Sequence, residues 1–204
     1  MLWAIVGAAS LVGLSLQVSR IYNKYKSLSR TIPTVRRVYG DREAQYEDFN
    51  SLVYTNAVVH EVLRLFPPLV GIPKYCVREQ TLCGGKYVVP ANTYLTLNAA
   101  GVHYNTDVWG PDAAEFNPSR FDPRENKLVK GSYIPFSEGA RSCLGNKFAN
   151  VEMVATLSNV LRRYTIHFSE GYDEARMKRE LSESHSVITL QPKTPTPVIV
   201  KRRN

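Results

Sequence analysis

Residues 135–149 read PFSEGARSCLGNKFA and place Cys143 between a charged loop and a segment with a helical pattern of apolar residues. Gly139 and Gly145 flank the cysteine, and Arg141 precedes it by two positions. A helix that starts here would turn its unpaired N–H groups and its positive dipole end toward the sulfur, which favours a thiolate. Three roles are open for Cys143: a buried structural thiol, a catalytic nucleophile or a metal ligand.

The remaining cysteines and histidines bear on these roles. A cysteine nucleophile usually needs a histidine base, and the sequence alone pairs none of its histidines with Cys143. Zinc needs three or four ligands, and no other Cys or His lies within about ten residues of Cys143. Cys76 and Cys83 lack the close spacing of a zinc site, so we expect free, buried thiols in a reducing compartment. Heme iron, in contrast, needs a single axial protein ligand.

A spaced pattern in this stretch favours the last of these possibilities, a cysteine ligand of heme iron. It reads F-x-x-G-x-R-x-C-x-G, at Phe136, Gly139, Arg141, Cys143 and Gly145. The pattern resembles the heme-binding loop of the cytochrome P450 superfamily, the heme-thiolate monooxygenases. Two other stretches agree in their order along the chain. EVLR at 61–64, followed by FPP, is similar to the family's E-x-x-R helix, and FNPSRF at 116–121 is similar to the segment with a third polar partner.

The resemblance implies a role for each residue of the loop. Cys143 would be the metal ligand, the axial thiolate on the iron of heme b. Arg141 would bind a heme propionate with help from His103. The other loop residues would shape the sulfur's surroundings and the backbone's approach to the porphyrin: Phe136, Gly139 and Gly145. Two positions depart from the family pattern, since Ser137 stands where glycine is common and Lys74 where an arginine often approaches a propionate.

Glu61, Arg64 and Arg120 would form a buried structural triad under the same resemblance. Glu61 and Arg64 are three residues apart, on one face of a predicted helix. Such a pair is often a surface ion pair, but the residues around this one are mostly apolar, which favours burial. We therefore expect the pair to need further hydrogen-bonding partners.

The patterning predicts a mainly α fold with small β-sheets (α+β), and the resemblance makes it the carboxyl-terminal half of a cytochrome P450 fold. A helix is expected from Asp48 or Ser51 to about Phe66, and another from Leu144 to about Tyr164. KYVV at 86–89 and TYLTL at 93–97 suggest a hairpin, and SVITL at 186–190 with PVIVK at 197–201 a closing hairpin. Between them, an ordered loop region carries Trp109, Phe116 and Phe121 as buried aromatic residues.

The first residues carry no charge before Arg20, and basic residues follow. This arrangement favours a single uncleaved transmembrane anchor at 1–19 over a cleaved signal peptide or a core helix. A basic linker is expected at 20–37, where Pro33 disfavours helix, and a partial heme-thiolate domain at 38–204. With the resemblance, this order predicts a single-pass protein of the endoplasmic reticulum membrane, with the catalytic part facing the cytosol.

The formal charge of +8 does not indicate a nucleic-acid partner. Six basic residues precede the first acidic residue, Asp41, and four follow the last one, Glu183. The part between them is slightly acidic, whereas nucleic-acid binding needs a basic face on the folded domain.

The resemblance implies a monooxygenase that inserts one oxygen atom from dioxygen into an apolar small molecule, with electrons from an NADPH-dependent reductase. Members of the family are more than twice as long, and their distal-helix pattern [AG]-G-x-[DE]-T is missing from this sequence. We therefore expect a shortened form, with weak or no heme retention and exposed apolar surface. The alternative function is a non-catalytic, membrane-anchored remnant.

Overall fold

The computed structural model describes residues 27–40, 42–124, 128–169, 176, 185–186, 189–191 and 197–203. Its helices are α1 (Ser27–Tyr39), α2 (Asp48–Ser51), α3 (Val53–Leu65), α4 (Ala99–His103), α5 (Thr106–Trp109) and α6 (Asn146–Arg163). Its strands are β1 (Gly71–Cys76), β2 (Gln80–Leu82), β3 (Tyr87–Val89), β4 (Thr93–Asn98), β5 (Tyr164–Phe168), β6 (His185–Ser186), β7 (Leu190–Gln191) and β8 (Val198–Arg202). Short 3₁₀ turns cover Cys83–Gly85, Pro118–Phe121 and Gly139–Arg141.

The main core lies where α1, α3 and α6 meet. Its buried side chains are almost entirely apolar: Val35, Tyr39, Leu52, Val58, Val59, Val62, Leu63, Leu65, Phe116, Met153, Val154, Leu157 and Leu161. Burying each of the aliphatic side chains contributes about 1.5–3 kcal/mol in transfer free energy. A hydrogen bond of 3.1 Å between the Tyr39 and Ser158 hydroxyls joins α1 to α6 inside this core. These contacts fix the position of α3, on which the candidate site depends.

Helix α1 overlaps the expected basic linker at 20–37 and corrects one part of that expectation, namely that Pro33 disfavours helix there. The helix runs through Pro33, which has no N–H to donate within the helix. Val35 and Tyr39 lie on the inner face of α1 and are 0% and 2% exposed. The burial of these side chains against α3 and α6 outweighs the cost of the proline, an example of tertiary packing overriding local propensity.

The two long predicted helices are present, and the second starts two residues later than expected, at Asn146. The first is divided at Leu52, whose non-helical backbone (φ −85°, ψ 53°) lets its side chain enter the core. Neither Asp48 nor Ser51 serves as an N-cap. On α6, the apolar face is buried only from Met153 onward, because the amino-terminal end of the helix extends beyond the core.

Both predicted hairpins pair differently from our expectation. The segments KYVV and TYLTL are strands, but β3 pairs with β2 and β4 pairs with β1, each antiparallel. Likewise, PVIVK pairs with β5 rather than with SVITL, and SVITL overlaps the short β6–β7 pair. Alternating apolar residues identify a strand, but they do not specify its partner when several strands of similar length are available.

Two of the three aromatic residues of the loop region are buried as predicted, and the third is half-buried. Trp109 and Phe116 are each 6% exposed, and Phe121 is half-buried with its ring 5.9 Å from that of Trp109. The predicted membrane anchor at 1–19 lies outside the described residues. Within the described ranges, no helix combines the length and the apolar character that crossing a membrane requires.

The structure of the core predicts that alanine substitutions at two leucines, one in α6 and one just before it, differ strongly in their effect on the free energy of unfolding. Leu161→Ala should lower the free energy of unfolding by about 2–5 kcal/mol, because Leu161 is 2% exposed and its removal leaves a cavity. Leu144→Ala is the matched control, since Leu144 is fully exposed and its truncation should change stability by less than about 0.5 kcal/mol. Urea unfolding followed by circular dichroism would measure both; equal losses would contradict this account of the core.

Candidate functional site

The backbone of the Cys143 loop is fixed by its own hydrogen bonds. The Cys143 N–H donates to the carbonyl of Phe136 at 2.9 Å, and the Ser142 N–H donates to the carbonyl of Gly139 at 3.1 Å. Gly139 has a φ of 82°, a left-handed conformation that glycine adopts without steric cost. Helix α6 begins at Asn146, so Cys143 stands just before its amino-terminal turn. The loop therefore presents the cysteine at a defined place with its side chain exposed.

Ser137 and Lys74, the two departures from the family pattern, meet in the structure. Ser137 adopts a φ of 63°, the left-handed region that its more usual glycine would occupy more easily. The Lys74 ammonium, on β1, donates to the Ser137 hydroxyl at 3.1 Å. A cation from the sheet is thus held against the loop that carries Cys143.

Two exposed apolar side chains and an exposed cation lie close to Cys143 along the chain. Leu144 is fully exposed and Phe148 is 73% exposed, although both are large apolar side chains. Arg141 is also exposed, two residues before the cysteine. Phe136 is half-buried against the core, and a Cβ added at Gly145 would lie 3.8 Å from the Cys143 sulfur. A thiol, exposed apolar side chains and nearby cations are the groups that a flat macrocycle with acidic edge groups would need.

The other two cysteines differ from each other. Cys76 is buried, as predicted, and its thiol donates to the carbonyl of Arg78 at 3.3 Å. Cys83 is exposed, which corrects our expectation of a buried thiol. It lies in the 3₁₀ turn between β2 and β3 and is not among the residues of the main core.

Glu61 and Arg64 form a fully buried ion pair on α3. The Arg64 guanidinium donates to both carboxylate oxygens, at 2.7 and 2.8 Å, and both side chains are 0% exposed. The backbone N–H of Asn117 adds a third hydrogen bond to the carboxylate, at 2.8 Å. Burial raises the pKa of Glu61, and the hydrogen bonds from Arg64 and Asn117 oppose that rise. The carboxylate is therefore stable only while these partners remain in place.

The remaining donors of Arg64 reach three backbone carbonyls from the loop region. They are those of His103 and Ala113, both at 2.7 Å, and that of Glu115 at 3.2 Å. The guanidinium also lies 5.0 Å from the Trp109 ring centroid, within the range of a cation–π contact. One side chain thus organises the region between α4 and the 3₁₀ turn that carries Arg120.

Arg120 lies beside this pair, with its Nε 3.8 Å from a carboxylate oxygen of Glu61. Its terminal nitrogens donate to the carbonyls of Trp109, at 2.5 Å, and Asp112, at 2.9 Å. The structure therefore brings the three predicted triad residues together, with a direct Glu61–Arg64 pair and an ionic contact from Arg120.

His103 does not have the role that we expected, because neither ring nitrogen is available for a propionate. Its Nδ1 lies 3.0 Å from the carbonyl of Arg64, and its Nε2 lies 2.8 Å from the N–H of Ile134. A carbonyl can only accept and an amide N–H can only donate, so the ring is neutral with its proton on Nδ1. The ring is also fully buried. His103 is a structural link between α3 and the segment before Cys143.

Sequence reasoning missed two residues that the fold places beside His103. The Tyr133 hydroxyl and Nδ1 of His60 are 2.9 Å apart, and the Tyr133 ring stacks on that of His103 with centroids 5.5 Å apart. His60 directly precedes Glu61, and Tyr133 directly precedes Ile134. In the sequence, His60 stands next to Glu61 and Tyr133 stands three residues before Phe136, but nothing there relates positions 60 and 133.

The buried ion pair predicts a large loss of stability from one isosteric change. Glu61→Gln should lower the free energy of unfolding by about 3–5 kcal/mol, because it leaves the Arg64 charge buried without its counter-ion. The control is Asp122→Asn, in the ion pair with the exposed Arg124, which should leave the urea midpoint almost unchanged. A small effect of Glu61→Gln would show that the pair does not support the fold.

His103 predicts that stability falls in mild acid. Burial lowers the pKa of His103 to about 4, from 6.5 for a free side chain. Between these values the unfolded chain binds the additional proton, so stability is lost as the pH falls from about 6.5 to about 4, by roughly 3 kcal/mol in total. Burial lowers the pKa of His60 as well, which adds a loss of the same sign.

Urea unfolding at a series of pH values would measure this slope. His103→Gln should flatten it, whereas His167→Gln, at an exposed histidine, should leave it unchanged. An identical slope in the wild type and in His103→Gln would contradict the assignment.

Comparison with known proteins agrees with this geometry. The family model for cytochrome P450 matches residues 29–196. Cytochrome P450 CYP72A219 of Panax ginseng is 36% identical over 160 residues, which cover 78% of this chain and 29% of that protein. Secologanin synthase 1 of Catharanthus roseus is 32% identical, covering 82% of this chain and 30% of that protein. Cytochrome P450 monooxygenase 124 of Postia placenta is 34% identical, and the match covers 96% of this chain and 38% of that protein.

The chain thus spans less than two fifths of the length of these relatives. The family match nevertheless includes α3 with its ion pair and the loop of Cys143. By this match and these identities, the chain belongs to the cytochrome P450 superfamily.

Proposed function

We propose that this chain forms the proximal side of a heme-thiolate site, with Cys143 as the axial ligand of the iron of heme b. The observation that carries the proposal is the setting of Cys143. Its backbone is held by the carbonyl of Phe136, its side chain is exposed, and the next large apolar residues along the chain, Leu144 and Phe148, are exposed as well. Large apolar side chains exposed next to a thiol indicate a surface that an apolar group covers.

The residues around Cys143 would divide the binding of heme between them. Leu144 and Phe148 would contact the apolar face of the porphyrin, and Arg141 would pair with a propionate. Lys74, held by Ser137, would offer a second cation. When bound, a thiolate-ligated heme activates dioxygen, because the thiolate pushes electron density toward the iron and favours O–O cleavage. The function that this arrangement supports best is monooxygenation of an apolar small molecule.

Electron supply and location are part of the same proposal. A heme-thiolate monooxygenase needs electrons from a redox partner, here an NADPH-dependent reductase. The uncharged residues 1–18, followed by basic residues, support a single-pass anchor in the endoplasmic reticulum membrane with residues 38–204 on the cytosolic side. The relatives named above support the family-level chemistry and leave the substrate open.

A non-catalytic, membrane-anchored remnant is the second candidate, and one observation favours it. Leu144 and Phe148 are exposed, so no described residue covers the side of Cys143 that faces them. A bound heme would cover these residues, but a monooxygenase must also enclose its substrate on the opposite face of the heme and exclude water there. A chain with only the proximal side would bind heme weakly and would not complete a catalytic cycle.

Heme titration distinguishes the proposals. The full chain in detergent, mixed with heme and then reduced under carbon monoxide, should give the Soret band that is typical of a thiolate-ligated heme. Cys143→Ala should abolish this band, whereas Cys83→Ala, at the other exposed cysteine, should retain it. No band from the wild-type chain would favour the remnant, and a band that survives Cys143→Ala would overturn the assignment of the ligand.

A further inference from the structure

The segment from Tyr133 to Phe136 sets the position of Cys143. The carbonyl of Phe136 accepts the N–H of Cys143 at 2.9 Å, and the carbonyl of Ile134 accepts the N–H of Ser137 at 3.1 Å. Two of the backbone hydrogen bonds in the approach to the cysteine therefore have their acceptor in this segment. The segment itself belongs to no helix or strand, so other parts of the fold must hold it in place.

His103 holds the segment through the backbone. Its Nε2 accepts the N–H of Ile134, while its Nδ1–H donates to the carbonyl of Arg64 on α3. Arg64 returns a bond, because its guanidinium donates to the carbonyl of His103 at 2.7 Å. The imidazole is thus fixed at both nitrogens and transmits the position of α3 to Ile134.

His60 holds the same segment through a side chain. Its Nδ1 is 2.9 Å from the Tyr133 hydroxyl. The Tyr133 ring is further confined by the ring of His103, with centroids 5.5 Å apart, and by the ring of Phe121, with centroids 4.8 Å apart. Burial raises the pKa of Tyr133 well above its usual value, so its hydroxyl keeps its proton and can donate to His60.

We propose that His103, together with His60, is a positioning residue for Cys143: the two imidazoles tie Tyr133 and Ile134 to α3 and thereby fix where the cysteine sulfur is presented. The inference rests on the proposed function in one respect, since the group to which the sulfur is presented is heme. The tie itself is a property of the chain alone. It gives a role to the buried His103 and the half-buried His60, whose ring nitrogens Nε2 and Nδ1 contact Ile134 and Tyr133.

The main test removes the two hydrogen bonds of the His103 side chain and keeps an aromatic ring at that position. In the heme-free full chain, His103→Phe should speed amide hydrogen exchange in peptides covering residues 133–143 by about fivefold to tenfold, as expected for the loss of about one net hydrogen bond. Peptides from the buried part of α6, Met153–Leu161, should keep their wild-type exchange. His103→Gln should restore much of the protection, because its side-chain oxygen can replace Nε2 as the acceptor for Ile134.

A milder variant covers the case in which His103→Phe unfolds the chain. Tyr133→Phe deletes only the hydroxyl that meets His60, and it should speed exchange around residues 133–137 while leaving α6 unchanged. The matched control is Tyr94→Phe, at a tyrosine that is 82% exposed, with no expected effect. Equal exchange in Tyr133→Phe and in the wild type, or faster exchange spread evenly over α6 as well, would overturn the positioning role.

Thiol chemistry and heme spectra complete the test. With Cys76 and Cys83 replaced by alanine, the rate at which a maleimide modifies Cys143 should change at least about threefold in His103→Phe and return toward the wild-type rate in His103→Gln. In the heme titration, His103→Phe should weaken or shift the thiolate Soret band. If the wild-type chain shows no such band, the proposed function fails, while exchange and maleimide rates still decide the positioning role. A normal band together with unchanged exchange in His103→Phe would overturn the positioning role alone.

Discussion

The buried ion pair of Glu61 and Arg64 is the constraint on which the rest of the site depends. Two opposite charges without solvent exposure are tolerated only if nearly all of their hydrogen-bonding capacity is used. Here the backbone supplies what the pair does not: the N–H of Asn117 and the carbonyls of His103, Ala113 and Glu115. Because the buried charges need these backbone partners, the chain between residues 98 and 121 must pass close to the ion pair. This path also places His103, which contacts Ile134.

Much of this arrangement could be predicted from the sequence, because spacing along one helix and a rare local pattern carry it. Positions 61 and 64 share a face of any helix, and the pattern around Cys143 is specific enough to identify the family. The pairing of His103 could not be predicted, since an imidazole can contact a ligand or a backbone equally well, and only the tertiary structure decides. The same limit applies to His60 and Tyr133, which are 73 positions apart.

The secondary structure also has features that the sequence predicts and features that depend on tertiary contacts. The existence of α3 and α6 follows from their apolar periodicity, whereas α1 persists through Pro33 because Val35 and Tyr39 are buried by other helices. Strand pairing was the weakest prediction, because local patterning marks β3 and β4 as strands but does not specify that they pair with β2 and β1. Local chemistry therefore predicts elements well, and the contacts between elements depend on packing that no single segment encodes.

The contact between Lys74 and Ser137 has a consequence for how this loop can change during evolution. A serine in the left-handed region costs more than a glycine, yet its hydroxyl is what the lysine ammonium contacts at 3.1 Å. Replacing the serine by glycine would relax the backbone and release the lysine, and replacing the lysine would leave the serine with its conformational cost and without this bond. Among close relatives of this chain, the two positions should therefore be inherited together, as a co-varying pair that joins a sheet to the ligand loop.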